Sequence, residues 1–147
     1  MKLKYKKLYD IPVVPKYMTD GASGIDLCAV FSTSKMVDFV MIAPGESEHI
    51  STGLAFEIPE GFEGQIRPRS GHAKRGLVAA FGTIDSDYRG EVGVRIFNHS
   101  FKTQKIELYE RIAQLVICPV VRCELEESET LSETIRGSNG FGSTNKR

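Results

Sequence analysis

Apolar residues in this chain come in short runs broken by glycine and proline, a pattern that predicts an all-β architecture with frequent turns. Residues 1–9 alternate, with Leu3, Tyr5 and Leu8 set between Lys2, Lys4, Lys6 and Lys7, so a first strand with a solvated lysine face is expected. Gly24 to Phe31 is a short apolar stretch carrying one carboxylate, Asp26. Met36 to Ile42 predicts a mostly buried strand, stopped by Ala43-Pro44-Gly45. Further strands are expected over His49 to Ile58 and Phe62 to Ile66, separated by the turn Pro59-Glu60-Gly61. Ser70 to Gly76 fits one short helical turn, capped by Ser70 and ended by Gly76. From Leu77 to Asn98 the pattern is that of two strands joined around Ser86-Asp87-Tyr88-Arg89-Gly90, with Val92, Val94 and Ile96 on one face of the second. Gln104 to Val121 supplies the last strands, which end at Pro119.

At 147 residues the chain has the size of one ordinary domain with a single core. Hydrophobic residues at 41% and charged residues at 26% give a globular balance rather than a disordered one. Formal net charge is zero, so no global field gathers nucleic acid, and an anion site has to be built from local cations and backbone N–H groups. Neither a signal peptide nor an apolar stretch long enough to span a bilayer is seen, and a cytoplasmic protein without membrane or nucleic-acid partners is expected. Cys28, Cys118 and Cys123 are odd in number and lie in apolar runs, which fits small, buried, reduced thiols. The spacing of Cys118 and Cys123 matches no common zinc pattern, and His49, His72 and His99 are scattered. Composition changes near residue 124. Glu124 to Glu133 is acidic, and Arg136 to Arg147 carries one hydrophobe, Phe141, so a catalytic domain over 1–123 and a flexible arm over 124–147 are expected.

Three segments suggest chemistry, and each has an ordinary alternative. Arg136-Gly137-Ser138-Asn139-Gly140-Phe141-Gly142-Ser143-Thr144 could cradle phosphate on glycine backbone, with Arg, Ser and Thr as further donors. It lacks the GK[ST] ending of a Walker A loop, and its lone aromatic suits stacking on a flat ring. Gly82-Thr83-Ile84-Asp85-Ser86-Asp87-Tyr88-Arg89-Gly90 could pair two carboxylates, although a hairpin turn explains most of its letters. Pro68-Arg69-Ser70-Gly71 puts a cation and a hydroxyl at a helix start, a favourable anion position that a plain cap explains equally well.

The order of the pieces decides between these readings. Ser23-Gly24-Ile25-Asp26-Leu27-Cys28-Ala29, then Pro68-Arg69-Ser70-Gly71, then Gly82 to Gly90 with the strand to Asn98, then Arg111-Ile112-Ala113-Gln114-Leu115, then Arg136 to Thr144 resembles the five-motif signature of trimeric dUTPases. The resemblance runs from near residue 20 to residue 145. It implies a homotrimer of distorted jelly-roll-like β-barrels with three active sites at subunit interfaces. Motifs one, two and four would come from one chain, motif three from a second, and the exchanged C-terminal arm from a third. The implied reaction is hydrolysis of dUTP to dUMP and pyrophosphate, with Mg2+ carried mainly by the substrate phosphates and no dedicated protein cage. Such a reaction limits uracil incorporation into DNA and supplies dUMP for dTMP synthesis.

By the same resemblance, Asp85 matches the carboxylate that takes a proton from water as it attacks the α-phosphate. Tyr88 matches the ring that packs under deoxyribose and excludes a 2′-hydroxyl. Backbone groups around Ala79, Gly82, Thr83 and Ile84 would read the uracil edge and reject the exocyclic amine of cytosine. Arg69, Ser70, Gly71 and Gln114 match phosphate-contacting positions, as do Arg136, Ser143 and Thr144 near the terminal phosphate. Phe141 with Gly142 matches the lid over uracil, and Asp26 matches an acidic position supporting the site. Some letters depart from the usual pattern: Ser23 for alanine, Arg67 for a small or apolar residue, His72 for leucine, Tyr109-Glu110 for Gly-Asp, and Asn145 for a final glycine. Two rivals remain open at this point. A dCTP deaminase shares the fold but needs a catalytic glutamate and a different third motif, and a non-catalytic trimeric nucleotide-binding protein could use the same scaffold.

Overall fold

The computed structural model describes residues 1–10, 13–31 and 38–140, and within them eleven strands and one short helix follow in order. They are β1 (Lys4–Lys7), β2 (Ile25–Cys28), β3 (Phe39–Ile42), β4 (Ser47–Ser51), β5 (Leu54–Glu57), β6 (Phe62–Pro68), α1 (Ser70–Lys74), β7 (Leu77–Ala79), β8 (Gly82–Ile84), β9 (Gly93–Asn98), β10 (Gln104–Glu107) and β11 (Arg111–Pro119). A four-stranded sheet in the order β2-β11-β6-β8 and a three-stranded sheet β4-β9-β7 are joined by the ribbons β1-β5 and β3-β10. Their pairings are antiparallel, and the arrangement is a jelly-roll-like barrel. The core is aliphatic: Leu27, Leu54, Leu77, Ile96, Ile112 and Leu115 are fully buried. Each such side chain contributes about 1.5–3 kcal/mol by leaving water.

Where the hydrophobic pattern alternates cleanly, the elements match it. Val92, Val94 and Ile96 all point inward, β11 ends at Pro119, and Gly76 closes the helix in the left-handed region at φ 77°. Lys4 and Lys6 of β1 face solvent, with Lys4 paired to Glu57 across the ribbon at 2.9 Å, while Lys7 is half-buried. Several expectations need correction. His49 to Ile58 is not one strand but two, because Gly53 takes φ 68° and turns the chain from β4 to β5 in a different sheet. The corner is held by the Thr52 hydroxyl donating to the Val92 carbonyl at 2.5 Å, and by Glu91 accepting the Gly53 N–H at 2.8 Å. The strand expected as mostly buried from Met36 is half exposed: Phe39 and Met41 face out and Ile42 faces in, as befits a two-stranded ribbon with one wet side. Residues 36 and 37 lie outside the described residues.

The helix begins one residue earlier than expected, with Arg69 rather than Ser70 in the N-cap position and no side-chain cap bond. Leu77 to Ile84 also divides. β7 pairs with β9, whereas β8 crosses to β6, so the loop through Ser86 to Gly90 does not close a hairpin between two paired strands. Of the cysteines, Cys28 alone is buried; Cys118 is half-buried and Cys123 exposed, and all three are free. Asn98 is fully buried, which its sequence neighbours do not signal. Its amide donates to the carbonyls of Ile42 and Lys102, each at 2.8 Å, and accepts from Ser100, which satisfies it completely.

Candidate functional site

The barrel brings three motif residues to one buried carboxylate. β2 lies against β11 with Asp26 opposite Gln114, and β11 lies against β6 with Ala113 opposite Pro68, so Arg69 emerges beside the same spot. Asp26 is only 5% exposed. One carboxylate oxygen accepts from Gln114 Nε2 at 3.1 Å; the other meets Arg111 Nη1 at 3.1 Å and Arg69 Nη2 at 3.4 Å. Arg69 Nη1 also donates to the Arg111 carbonyl at 2.8 Å. One buried negative charge therefore holds two guanidiniums side by side, which leaves a net positive face. The arginine side chains remain 24% and 45% exposed, so that face is open to an anion. Ser70 and Gly71 are exposed on the first turn of α1 next to it.

Close packing explains two other features of this corner. A Cβ at Gly24 would sit 2.9 Å from Gln114 Cβ, so the glycine of motif one lets β2 approach Gln114. Burial, and then the neighbouring Asp26 charge, push the Cys28 thiol pKa up against the opposing pull of Arg111 and Arg69, which keeps this sulfur protonated and inert. The sequence offers Arg111 only as a letter of motif four, without a role of its own. The signal that could have found it is its place three residues before Gln114, on the strand that pairs with the Asp26 segment.

A second group forms around the loop after β8. Asp85 is exposed, and its carbonyl accepts the Tyr88 N–H at 3.1 Å, which closes a tight turn. Arg89 Nη1 braces the turn by donating to the carbonyls of Ser86 at 2.6 Å and Tyr88 at 2.9 Å. The Tyr88 ring lies over Gly90, where an added Cβ would come within 2.3 Å of the phenol oxygen, and that hydroxyl donates to the Glu91 carbonyl at 3.0 Å. The Glu91 carboxylate is anchored in turn by Gly53 and by the Tyr9 hydroxyl at 3.2 Å, a contact that raises the Tyr9 pKa through the Glu91 charge. Asp85, Ser86 and Asp87 line a cleft of about 380 Å³ with Glu60, Glu63 and Arg122. The two aspartates sit on this turn rather than side by side on an extended strand.

β8 is the outer strand of its sheet, so the second edge of Gly82, Thr83 and Ile84 has no strand partner among the described residues. Such an edge offers a row of N–H and C=O groups to a planar hydrogen-bonding ligand. Ala79 differs: it is a core residue whose backbone is committed to Ile96 of β9. Arg67 does not face the arginine pair but reaches along β6, donating to Gln65 Oε1 at 2.6 Å and to Cys118 Sγ at 3.5 Å.

Within one chain these two groups stand apart. Ile84, which leads into Asp85, is opposite Gly64, whereas Pro68, which leads into Arg69, lies four residues further along β6, roughly 13 Å of strand. Arg136 touches neither group; its Nε donates to the Asn139 carbonyl at 3.0 Å within the arm. Phe141, Gly142, Ser143 and Thr144 lie outside the described residues, as does Asn145. No helix among the described residues is long and apolar enough to cross a membrane.

A jelly-roll-like barrel carrying a carboxylate-clamped, partly exposed arginine pair and a tyrosine-bearing loop defines the structural class of the chain. Comparison with known proteins specifies it further: the dUTPase family profile matches residues 12–145, and the chain belongs to that family. The deoxyuridine 5′-triphosphate nucleotidohydrolase of Nautilia profundicola is 52% identical, over 99% of this chain and 100% of that protein. A glycine-to-serine variant of the Staphylococcus bacteriophage 80alpha dUTPase, solved with dUpNHpp, superposes with TM-score 0.85 at 29% identity, covering 97% of each chain. An aspartate-to-asparagine variant of the dUTPase from phage phi11 of S. aureus, concerned with the coordination of a structural Mg(II) ion, superposes with TM-score 0.79 at 25% identity over 90% of this chain and 100% of that one.

Proposed function

We propose that the chain hydrolyses dUTP to dUMP and pyrophosphate as a homotrimer whose sites are shared between subunits. The observation that carries this reading is the separation of the Arg69–Arg111 pair from the Asp85–Tyr88 loop within one chain. The reach of a triphosphate from its α- to its γ-phosphate is shorter than that separation, which supports a neighbouring subunit bringing its loop across. In that assembly Arg69, Ser70, Gly71, Arg111 and Gln114 of one subunit hold the phosphates, and Asp26 fixes the spread of the two guanidiniums.

Asp85 of a second subunit accepts a proton from water as the oxygen bonds to the α-phosphorus. The bond from that phosphorus to the bridging oxygen breaks, and pyrophosphate leaves. Tyr88 packs under deoxyribose, and its tether to the Glu91 carbonyl keeps the ring from swinging to admit a 2′-hydroxyl. The outer edge of β8 at Gly82, Thr83 and Ile84 reads uracil, with Ala79 holding the strand before it. The arm over 124–147 crosses to a third subunit, where Arg136, Ser143 and Thr144 meet the terminal phosphate and Phe141 with Gly142 covers the base. Among the described residues the arm's side-chain hydrogen bonds stay within the arm, which suits a segment that closes on ligand.

Magnesium held on the substrate phosphates would supply charge neutralisation beyond that of the arginines. Both Asp26 oxygens are already taken by Arg111, Arg69 and Gln114, so this carboxylate would leave the ion to the phosphates. Free thiols suit a reducing cytoplasm. Removing dUTP while making dUMP would limit uracil in DNA and supply dTMP synthesis.

Pyrophosphate release from dUTP, dCTP, dTTP and UTP tests the reading, together with Asp85→Asn. The variant is expected to keep nucleotide affinity and lose at least about a hundredfold in kcat. Equal losses in binding and rate would remove the general base, and ammonia released from dCTP would replace the reaction altogether.

A further inference from the structure

Beneath the short helix lies a polar contact that the phosphate grip does not use. His72 is 4% exposed, and its Nε2 lies 2.8 Å from Glu110 Oε1. Arg75 Nη1 reaches the same oxygen at 2.6 Å, while Glu110 Oε2 accepts the Glu107 N–H at 2.9 Å. His72 Nδ1 is buried without a hydrogen-bond partner. A buried imidazole normally satisfies both nitrogens, so this ring is held at one end only, by the glutamate. Burial lowers the His72 pKa more than the Glu110 contact raises it, with Arg75 and Arg69 adding to the lowering, so at neutral pH an uncharged ring donates from Nε2.

Glu110 closes a turn that needs holding. Tyr109 adopts φ 62°, the left-handed region that residues other than glycine avoid, and it does so between β10 and β11. The turn is pinned to β2's end by Tyr109 N–H donating to the Ala29 carbonyl and by Ala29 N–H donating to the Glu110 carbonyl, each at 2.8 Å. His72 lies three residues beyond Arg69, and Glu110 immediately precedes Arg111. The two segments that carry the guanidiniums are thus cross-linked twice: through Asp26 on the ligand side and through His72 and Glu110 behind.

We infer that His72 and Glu110 are positioning residues, whose buried contact sets the helix start against the head of β11 and so fixes the spacing of Arg69 and Arg111. The inference rests on the proposed phosphate role of that arginine pair. Two residues 38 positions apart in the sequence meet each other, and the strained turn and the buried ring form one device. If the Arg75–Glu110 pair held the turn alone, His72 would be filler, and its loss would leave phosphate affinity intact.

The test uses the full chain and two probes, inorganic triphosphate and deoxyuridine, titrated calorimetrically into wild type, His72→Leu, His72→Gln and Glu110→Gln. His72→Leu is expected to weaken triphosphate binding about three- to tenfold, as for coupled contacting residues, and to leave deoxyuridine affinity unchanged. His72→Gln, whose amide can still donate to Glu110, is expected to recover most of the loss. With dUTP the same factor is expected in KM and little change in kcat. A folded His72→Leu that binds triphosphate like wild type overturns the inference, and so does an equal loss of deoxyuridine binding. If His72→Leu does not fold, His72→Asn, whose amide is too short to reach Glu110, takes its place: weakened triphosphate binding beside near-wild-type affinity in His72→Gln supports the inference, and wild-type affinity in His72→Asn overturns it. A wild type that fails to turn over dUTP refutes the proposed reaction, while the triphosphate comparison still reads this inference by itself.

Discussion

Asp26→Asn isolates the charge that organises the arginine pair, because asparagine keeps the shape and a carbonyl for Gln114. The variant leaves two guanidiniums, about 3 Å from the lost charge, facing each other without an anion between them. Removing one partner of a fully buried ion pair costs about 3–5 kcal/mol. Here the Arg111 side chain is 45% exposed and the Arg69 side chain 24%, so water takes back much of their charge. The expected destabilisation is therefore about 1–2 kcal/mol, a fall of roughly 3–8 °C in Tm for a chain of this size. Losing the clamp also loosens the phosphate grip, and KM for dUTP is expected to rise about tenfold, or about 1.4 kcal/mol. The substitution makes the site one charge more positive, which by itself draws in a polyphosphate. Measuring KM at low and high salt separates the two effects, since the long-range attraction is screened and the lost geometry is not. Thermal melts and steady-state kinetics at both salt levels are the assay. An unchanged Tm and KM would refute the clamp, and a lowered Tm with wild-type KM at high salt would make Asp26 a residue of the fold alone.

Gly90→Ala forces the Tyr88 ring off its seat, because the new methyl would lie 2.3 Å from the phenol oxygen; selectivity for dUTP over UTP is expected to fall at least about tenfold, and an unchanged ratio of kcat/KM values would show that the ring does not guard the sugar. Deleting residues 136–147 is expected to leave Tm and the sedimentation of the proposed trimer unchanged while abolishing most turnover, and an unfolded or fully active product would contradict the role proposed for the arm. Stability should fall on acidification in two steps. With the His72 pKa lowered by burial, the unfolded chain binds that proton first, so stability is full above the ordinary histidine value of about 6.5 and declines below it. Burial raises the Glu110 pKa, but the Glu107 N–H, His72 and Arg75 outweigh it and lower the net value, so its contribution holds above the ordinary glutamate range and is lost as pH falls below it. Melts of wild type and His72→Gln across this window check the first step: the variant is expected to show a shallower decline near pH 6, and identical slopes would exclude His72 as its source.

Local chemistry carried much of the fold into the sequence. The alternation of Val92, Val94 and Ile96 is visible in a single stretch because a strand places every second side chain on one face. Pro119 and Gly76 end their elements through their own backbone limits. Gly53 was equally present in the sequence, yet its neighbours on both sides are strand-forming, so the pattern hid the left-handed corner that sends β4 and β5 to different sheets. The same holds for Ala80 and Phe81, where the chain leaves β9 for β6 without any strong turn residue.

Motif order by itself pointed to the family and singled out Asp26, Arg69, Gln114, Asp85 and Tyr88, since short motifs are read along the chain whatever the pairing of strands. Only the tertiary structure decided that Asp26 reaches Arg111 across 85 residues, that His72 meets Glu110, and that Asp85 stands away from Arg69 in the same chain. The physical reason is that antiparallel register is a non-local choice: side-chain periodicity tells each strand which face to bury, but not which distant strand it lies beside.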